Sequence, residues 1–209
     1  MLDIGIVDYG AGNIASVMKA VDYAGANPVL VATPEEILEC DKLILPGVGA
    51  SGLAIEKLRE KHLDQALHEA VRVKAAPFLG ICVGMQLLAD DMYEFGHHKG
   101  LGWVPGKVIS LTEYGISSNP VPHMGWNDVE FRADLHGLPS RLGNYKAFYF
   151  AHSFTLVTDR KDLVSASVKY EQQLVAGLLF ETVSGFQFHP EKSQVAGDIL
   201  MKWFIDWKP

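Results

Sequence analysis

Five residues set the tightest limit on what this chain can become: Gly80-Ile81-Cys82-Val83-Gly84, a G-x-C-x-G stretch between two apolar runs. Phe78 and Leu79 follow Pro77 and read as a buried strand; Met85, Leu87, Leu88 and Ala89 read as the opening of a helix. A cysteine between them is the thiol form of a nucleophile elbow, a sharp strand-to-helix turn in strained backbone whose flanking glycines keep Cβ atoms clear. The thiol then projects over the sheet edge above a helix N-terminus, whose dipole favours the thiolate that attacks carbonyl carbons. The competing reading is a buried cysteine packing as a small hydrophobe.

A sharp strand-to-helix turn belongs to an α/β sheet, and the first half of the chain repeats that pattern. Leu2 to Val7 reads as a strand, Ile14 to Ala24 as a helix ended by Gly25, Pro28 to Val31 as a strand and Lys42 to Leu45 as another. Thr33-Pro34-Glu35-Glu36 reads as a helix cap, a proline at the first helical position and an acidic first turn. One or two helices cover Ser51 to Val73. This alternation predicts a parallel sheet covered on both faces. After about Gly100 the texture turns to β: Val104 to Leu111, Val121 to Phe131, Ala147 to Leu156, Leu163 to Tyr170, Leu174 to Phe180 and Gly185 to Phe188 read as strands. Ser193 to Trp207 reads as a closing amphipathic helix, with Val195, Ile199, Trp203 and Trp207 on its apolar face. No repeat or linker divides the chain, so the β-rich half is expected to extend the same sheet within one domain spanning 1–209.

At 209 residues, 48% hydrophobic and 21% charged, the chain fits a soluble globular domain. A formal net charge of −7 without a basic cluster argues against nucleic acid or an anionic membrane as main partner. No apolar run approaches the roughly 18 residues that span a bilayer, and Met1-Leu2-Asp3-Ile4-Gly5 lacks the basic start of a signal peptide. Cys40 and Cys82 lie far apart in different contexts; free thiols and a cytoplasmic location are expected.

A cysteine nucleophile needs a base and a group that orients the base. Of the eight histidines, His189 in Gly185-Phe186-Gln187-Phe188-His189-Pro190-Glu191-Lys192-Ser193 is best placed, at a strand end leading into the last helix. In extended chain residues i and i+2 share a side, so Glu191 can hold the imidazole tautomer whose Nε2 faces the thiol. Both stretches fall at strand C-termini, where open α/β sheets bind ligands. His152, in Tyr149-Phe150-Ala151-His152-Ser153-Phe154, is the rival base, although its aromatic neighbours suit a wall residue. His123 has a weaker claim, and His97-His98 stand beside no cysteine or carboxylate at ligand spacing, so no metal site is expected. Acyl chemistry on a thiol also needs N–H donors for the developing oxyanion. Val83 can supply one and the Pro46-Gly47-Val48-Gly49 turn another, unless that turn is a plain strand-to-helix connection. Gly10-Ala11-Gly12-Asn13-Ile14-Ala15 matches a dinucleotide fingerprint, but the second strand ends Val31-Ala32-Thr33 without the required acid.

Taken together and in this order, the elbow, the Pro-Gly-Val-Gly turn and His-Pro-Glu resemble the class I, triad-type glutamine amidotransferases. Asp8-Tyr9-Gly10-x-Gly12-Asn13 and Pro122-His123-Met124-Gly125-Trp126-Asn127 extend the resemblance to the glutaminase subunits of imidazole glycerol phosphate synthases, which serve histidine biosynthesis. The resemblance runs nearly end to end. It implies a flavodoxin-like α/β fold with a mostly parallel sheet, a Cys82–His189–Glu191 triad, oxyanion donors from Val83 and Gly47, Val48 and Gly49, Gln86 as a substrate contact, and no cofactor. It implies L-glutamine as substrate and a (β/α)8-barrel cyclase partner that receives the ammonia, the complex acting as a lyase-type synthase. Three positions depart from the pattern: Gln194 and Glu171 where glycine is usual, and Phe154 for tyrosine. Neighbouring possibilities are a glutaminase for a sugar-amidating synthase, a cysteine hydrolase on the same fold, and a non-enzymatic binding module, which would be expected to lose Cys82 or His189, both present here.

Overall fold

The computed structural model describes residues 2–209. Its strands are β1 (Asp3–Val7), β2 (Asn27–Val31), β3 (Lys42–Gly47), β4 (Phe78–Cys82), β5 (Ala89–Met92), β6 (His98–Lys99), β7 (Val104–Ser110), β8 (His123–Phe131), β9 (Ala147–His152), β10 (Phe154–Val157), β11 (Val164–Tyr170), β12 (Gln172–Phe180) and β13 (Val183–Phe186). Nine of them form one sheet in the order β2-β1-β3-β4-β13-β12-β11-β8-β9. From β2 to β13 neighbouring strands run parallel; from β13 to β9 they run antiparallel. The division follows the connections. Helices Ile14–Tyr23, Pro34–Glu39 and Ser51–Glu60 return the chain for parallel pairing, whereas β11, β12 and β13 follow one another through turns too short for anything but antiparallel pairing.

The strands of the parallel region are buried through β3 and β4 and nearly so through β1, as expected of strands covered on both faces. The second helix starts as its sequence dictates. Thr33 accepts from the Glu36 amide and the Glu36 carboxylate accepts from the Thr33 amide, with Pro34 as the first helical residue.

Not all of the β-rich half extends the main sheet. β10, β7, β5 and β6 form a second, four-stranded sheet. Two sequence expectations change with it. Ala147 to Leu156 is not one strand: it breaks at Ser153, where the chain leaves the main sheet for the small one. The helix after the elbow is a single turn, Val83–Gln86, because the Leu87 and Leu88 carbonyls accept from Leu101 and Trp103 at 2.7 and 2.9 Å instead of continuing a helical ladder. One turn carries little macrodipole, so local amide donors, not a long helix, act on the residue ahead of it.

The closing helix spans Gln194–Asp206, with Trp203 and Trp207 buried and Val195, expected on the apolar face, exposed. Buried Lys42, at the start of β3, ties this helix to the sheet by donating to the carbonyls of Phe204, Ile205 and Trp207.

Candidate active site

Four neighbouring parallel strands deliver side chains from their C-terminal ends to one place. Asn13 follows β1, Val48 and Gly49 follow β3, Cys82 ends β4, and Gln187, His189 and Glu191 follow β13. Register explains the meeting of elbow and base. Phe186 pairs with Ile81 in parallel, so Gln187 comes up beside Cys82 and His189 lies two residues beyond on the same side.

Cys82 has φ 54° and ψ −108°, a strained conformation for a residue with a Cβ, and its side chain is buried at the floor of a cleft of about 450 Å3. The glycines on either side are required sterically. A Cβ on Gly84 would collide with the Leu45 carbonyl, and one on Gly80 would sit 2.7 Å from the Gly84 carbonyl oxygen. The elbow is thus pressed against its own strand and against β3.

His189 donates from Nδ1 to Glu191 Oε1 at 2.9 Å, and both side chains are buried. Asn13 Nδ2 donates to the same oxygen at 3.3 Å. Burial works against protonation of His189, but its hydrogen bonds to Cys82 and Glu191 outweigh it and push the imidazole up to about 9. A base held in this way can keep a proton ready for a leaving group and later take one from a nucleophile.

His152 is different. It lines the cleft, yet Nδ1 donates to the Phe154 carbonyl at 2.8 Å and Nε2 faces His123 Nδ1 at 2.9 Å. His123 Nε2 in turn accepts from Asn127 at 2.6 Å, and its ring is sandwiched between Phe150 and Tyr170. A carbonyl can only accept, so both histidines carry their proton on Nδ1 and both are neutral. Burial lowers His152 to about 3 and His123 to about 4. With both ring nitrogens occupied, His152 is a wall residue.

Val48, Gly49, Val83 and Gln86 line the cleft with Cys82 and His189. Gly47 does not. It pairs with Cys82 across β3 and β4, and a Cβ there would lie 2.7 Å from that of Val83. Gln86 is on the wall, but its Nε2 is spent on the Phe154 carbonyl at 3.0 Å and on Gln187 Oε1 at 3.1 Å. Sequence reasoning missed Gln187, Asn13 and the cleft-lining Glu94. The Gly10-Ala11-Gly12-Asn13 segment matches a dinucleotide fingerprint only in part and carries some of the family resemblance, but neither reading gives Asn13 a role; its side chain steadies Glu191.

A family model for class-I glutamine amidotransferases matches residues 5–207. The chain belongs to the class-I glutamine amidotransferases. This amidotransferase, an enzyme by that membership, is 42% identical to the imidazole glycerol phosphate synthase subunit HisH of Zymomonas mobilis, the alignment covering 99% of this chain and 96% of that protein. It is 40% identical to the HisH subunit of Rhodospirillum rubrum over 99% of both chains. Among solved structures, a glutamine amidotransferase aligns with a TM-score of 0.71 at 19% identity over 97% of both chains. PurLQS from Thermotoga maritima aligns at 0.68 and 16% over 99% of both. These two likenesses establish the shared α/β fold. Among the described residues, no helix is long and apolar enough to cross a membrane.

Proposed function

We propose that this amidotransferase, one domain over residues 1–209, is the glutaminase subunit of an imidazole glycerol phosphate synthase, acting in the cytoplasm and in histidine biosynthesis. The observation that carries the reading is the convergence of Cys82 and His189 in one cleft, with Glu191 bonded to His189 behind it, together with near end-to-end likeness to subunits of that name. Glu94 and Lys192 also line the cleft, giving it one anionic and one cationic group, which suits a substrate carrying both an ammonium and a carboxylate.

Cys82 thiolate attacks the side-chain amide carbon of glutamine. Amide N–H groups of Val83 and of Val48 and Gly49 in the turn after β3 hold the oxygen as it becomes negative. The tetrahedral species collapses with the C–N bond breaking, and His189 gives its proton to the nitrogen, which leaves as ammonia. His189, now neutral, takes a proton from water; the hydroxide attacks the thioester, and glutamate departs as the sulfur regains its charge. Glu191, steadied by Asn13, keeps His189 in register throughout. Gln86 faces the substrate from the cleft wall.

The ammonia is passed to a (β/α)8-barrel cyclase. Val121, Met124, Trp126 and Val195 expose 41, 63, 45 and 47% of their surface, and Met124 also lines the cleft mouth, so apolar surface suited to a partner adjoins the site. Glutamate release should be slow for the chain alone and rise when the cyclase and its nucleotide ligand are added, because a misaimed oxyanion donor costs roughly 10²–10³ in rate. Steady-state glutaminase rates of the chain, the complex and the liganded complex test this. A chain releasing no glutamate in any of the three overturns the reading.

A further inference from the structure

A hydrogen-bonded chain whose direction is forced ends on the sulfur of Cys82. It starts at the Phe154 carbonyl, which can only accept, and which receives His152 Nδ1 at 2.8 Å and Gln86 Nε2 at 3.0 Å. Gln86 therefore presents its amide nitrogen here, and the same nitrogen donates to Gln187 Oε1 at 3.1 Å. With its oxygen so committed, the Gln187 carboxamide has one orientation left. Its Nε2 points at Cys82 Sγ, 3.7 Å away, and donates. Gln187 has no exposed surface, so water cannot substitute for any of these partners.

We propose that Gln187, held by Gln86, is the second hydrogen-bond donor to the Cys82 sulfur, fixing its rotamer and stabilising it as thiolate. The proposal deepens the functional reading above and rests on it for the role of Cys82. Every group in the network is satisfied only if the sulfur accepts. A thiolate accepts strongly from both His189 and Gln187; a thioester sulfur accepts weakly, so the donor acts on the free nucleophile and on the departing thiolate, not on the acyl intermediate. It also gives Gln86 a positioning role through Gln187 in addition to its place on the substrate wall.

Alkylation by iodoacetamide, in which the thiolate displaces iodide, reads this without glutamine. Its rate at Cys82 is followed by peptide mass spectrometry from pH 5 to 10 on the full chain, which separates Cys82 from Cys40. Gln187→Met removes the donor. Gln187→Glu keeps the shape and the bond from Gln86 but turns an acceptor toward the sulfur, and serves if the Met variant does not fold. At neutral pH alkylation should slow about tenfold in Gln187→Met and further in Gln187→Glu, the size expected for losing a hydrogen bond to a charged group. The pH profile should move upward in both, and Gln86→Met should give a smaller shift in the same direction. Rates and profiles matching those of the unaltered chain in a folded Gln187 variant overturn the proposal. That result, with glutamine hydrolysis by the unaltered chain intact, removes this inference alone. An unaltered chain that hydrolyses no glutamine removes the functional reading instead.

Discussion

The imidazole of His189 and the carboxylate of Glu191 meet at 2.9 Å with both side chains shut off from water, while the neighbouring His152 spends both its ring nitrogens on neutral partners. The two histidines touch the same cleft but only one is arranged to exchange a proton. His189→Ala should therefore lower glutaminase kcat by about 10²–10⁴-fold, the usual worth of a general base. His152→Ala should cost far less in kcat, and steady-state kinetics of the two variants ranks them.

The same pair makes stability depend on pH in a defined direction. His189 is raised from its ordinary 6.5 to about 9, so the folded chain holds this proton more tightly than the unfolded chain. The stability it contributes is fully present below about pH 6.5 and is lost as pH rises through 9. Urea unfolding of the unaltered chain and of His189→Ala at several pH values isolates it: the advantage of the unaltered chain should shrink steadily between pH 6.5 and 9.

Asn13 reaches Glu191 from the loop after β1, on the far side of β3 and β4 from β13. Removing it as Asn13→Ala takes away a donor to a buried carboxylate and loosens the group that orients the base. The expected result is about a tenfold drop in kcat, the size of one lost charge-assisted hydrogen bond, with the KM for glutamine little altered. Full kinetic curves for the variant check both.

Much of this was legible in the residues. The elbow, the Thr33–Pro34 cap and the His189–Glu191 spacing are local rules, set by backbone strain, capping and the two-residue period of extended chain, and each stands as the sequence reads. Even the departures from the family pattern carry information. Glu171 and Gln194 occupy positions with φ 60° and 50°, left-handed backbone where glycine is the usual choice. The Glu171 carboxylate gathers the amides of Ser117, Ser118 and Asn119.

What the sequence hid depends on pairing across distance. Leu87 and Leu88 are as apolar as a helix requires, and only the approach of residues 101–104 turns their carbonyls away from a helical ladder. The second sheet is invisible for the same reason, since β5 and β7 pair in parallel from separate parts of the chain. Gln187 looks like a polar gap between two phenylalanines until the register of β13 on β4 sets it beside Cys82. Asn13 and Glu191 stand 178 residues apart, and no local pattern joins them.

In the proposed mechanism Cys82 serves only to free ammonia from glutamine. The most direct measurement of this is synthesis by the complete complex with Cys82→Ala, supplied first with glutamine and then with ammonia. No product from glutamine and an unimpaired rate from ammonia are the expected results. Equal loss with both nitrogen sources would contradict the mechanism and make Cys82 a structural residue.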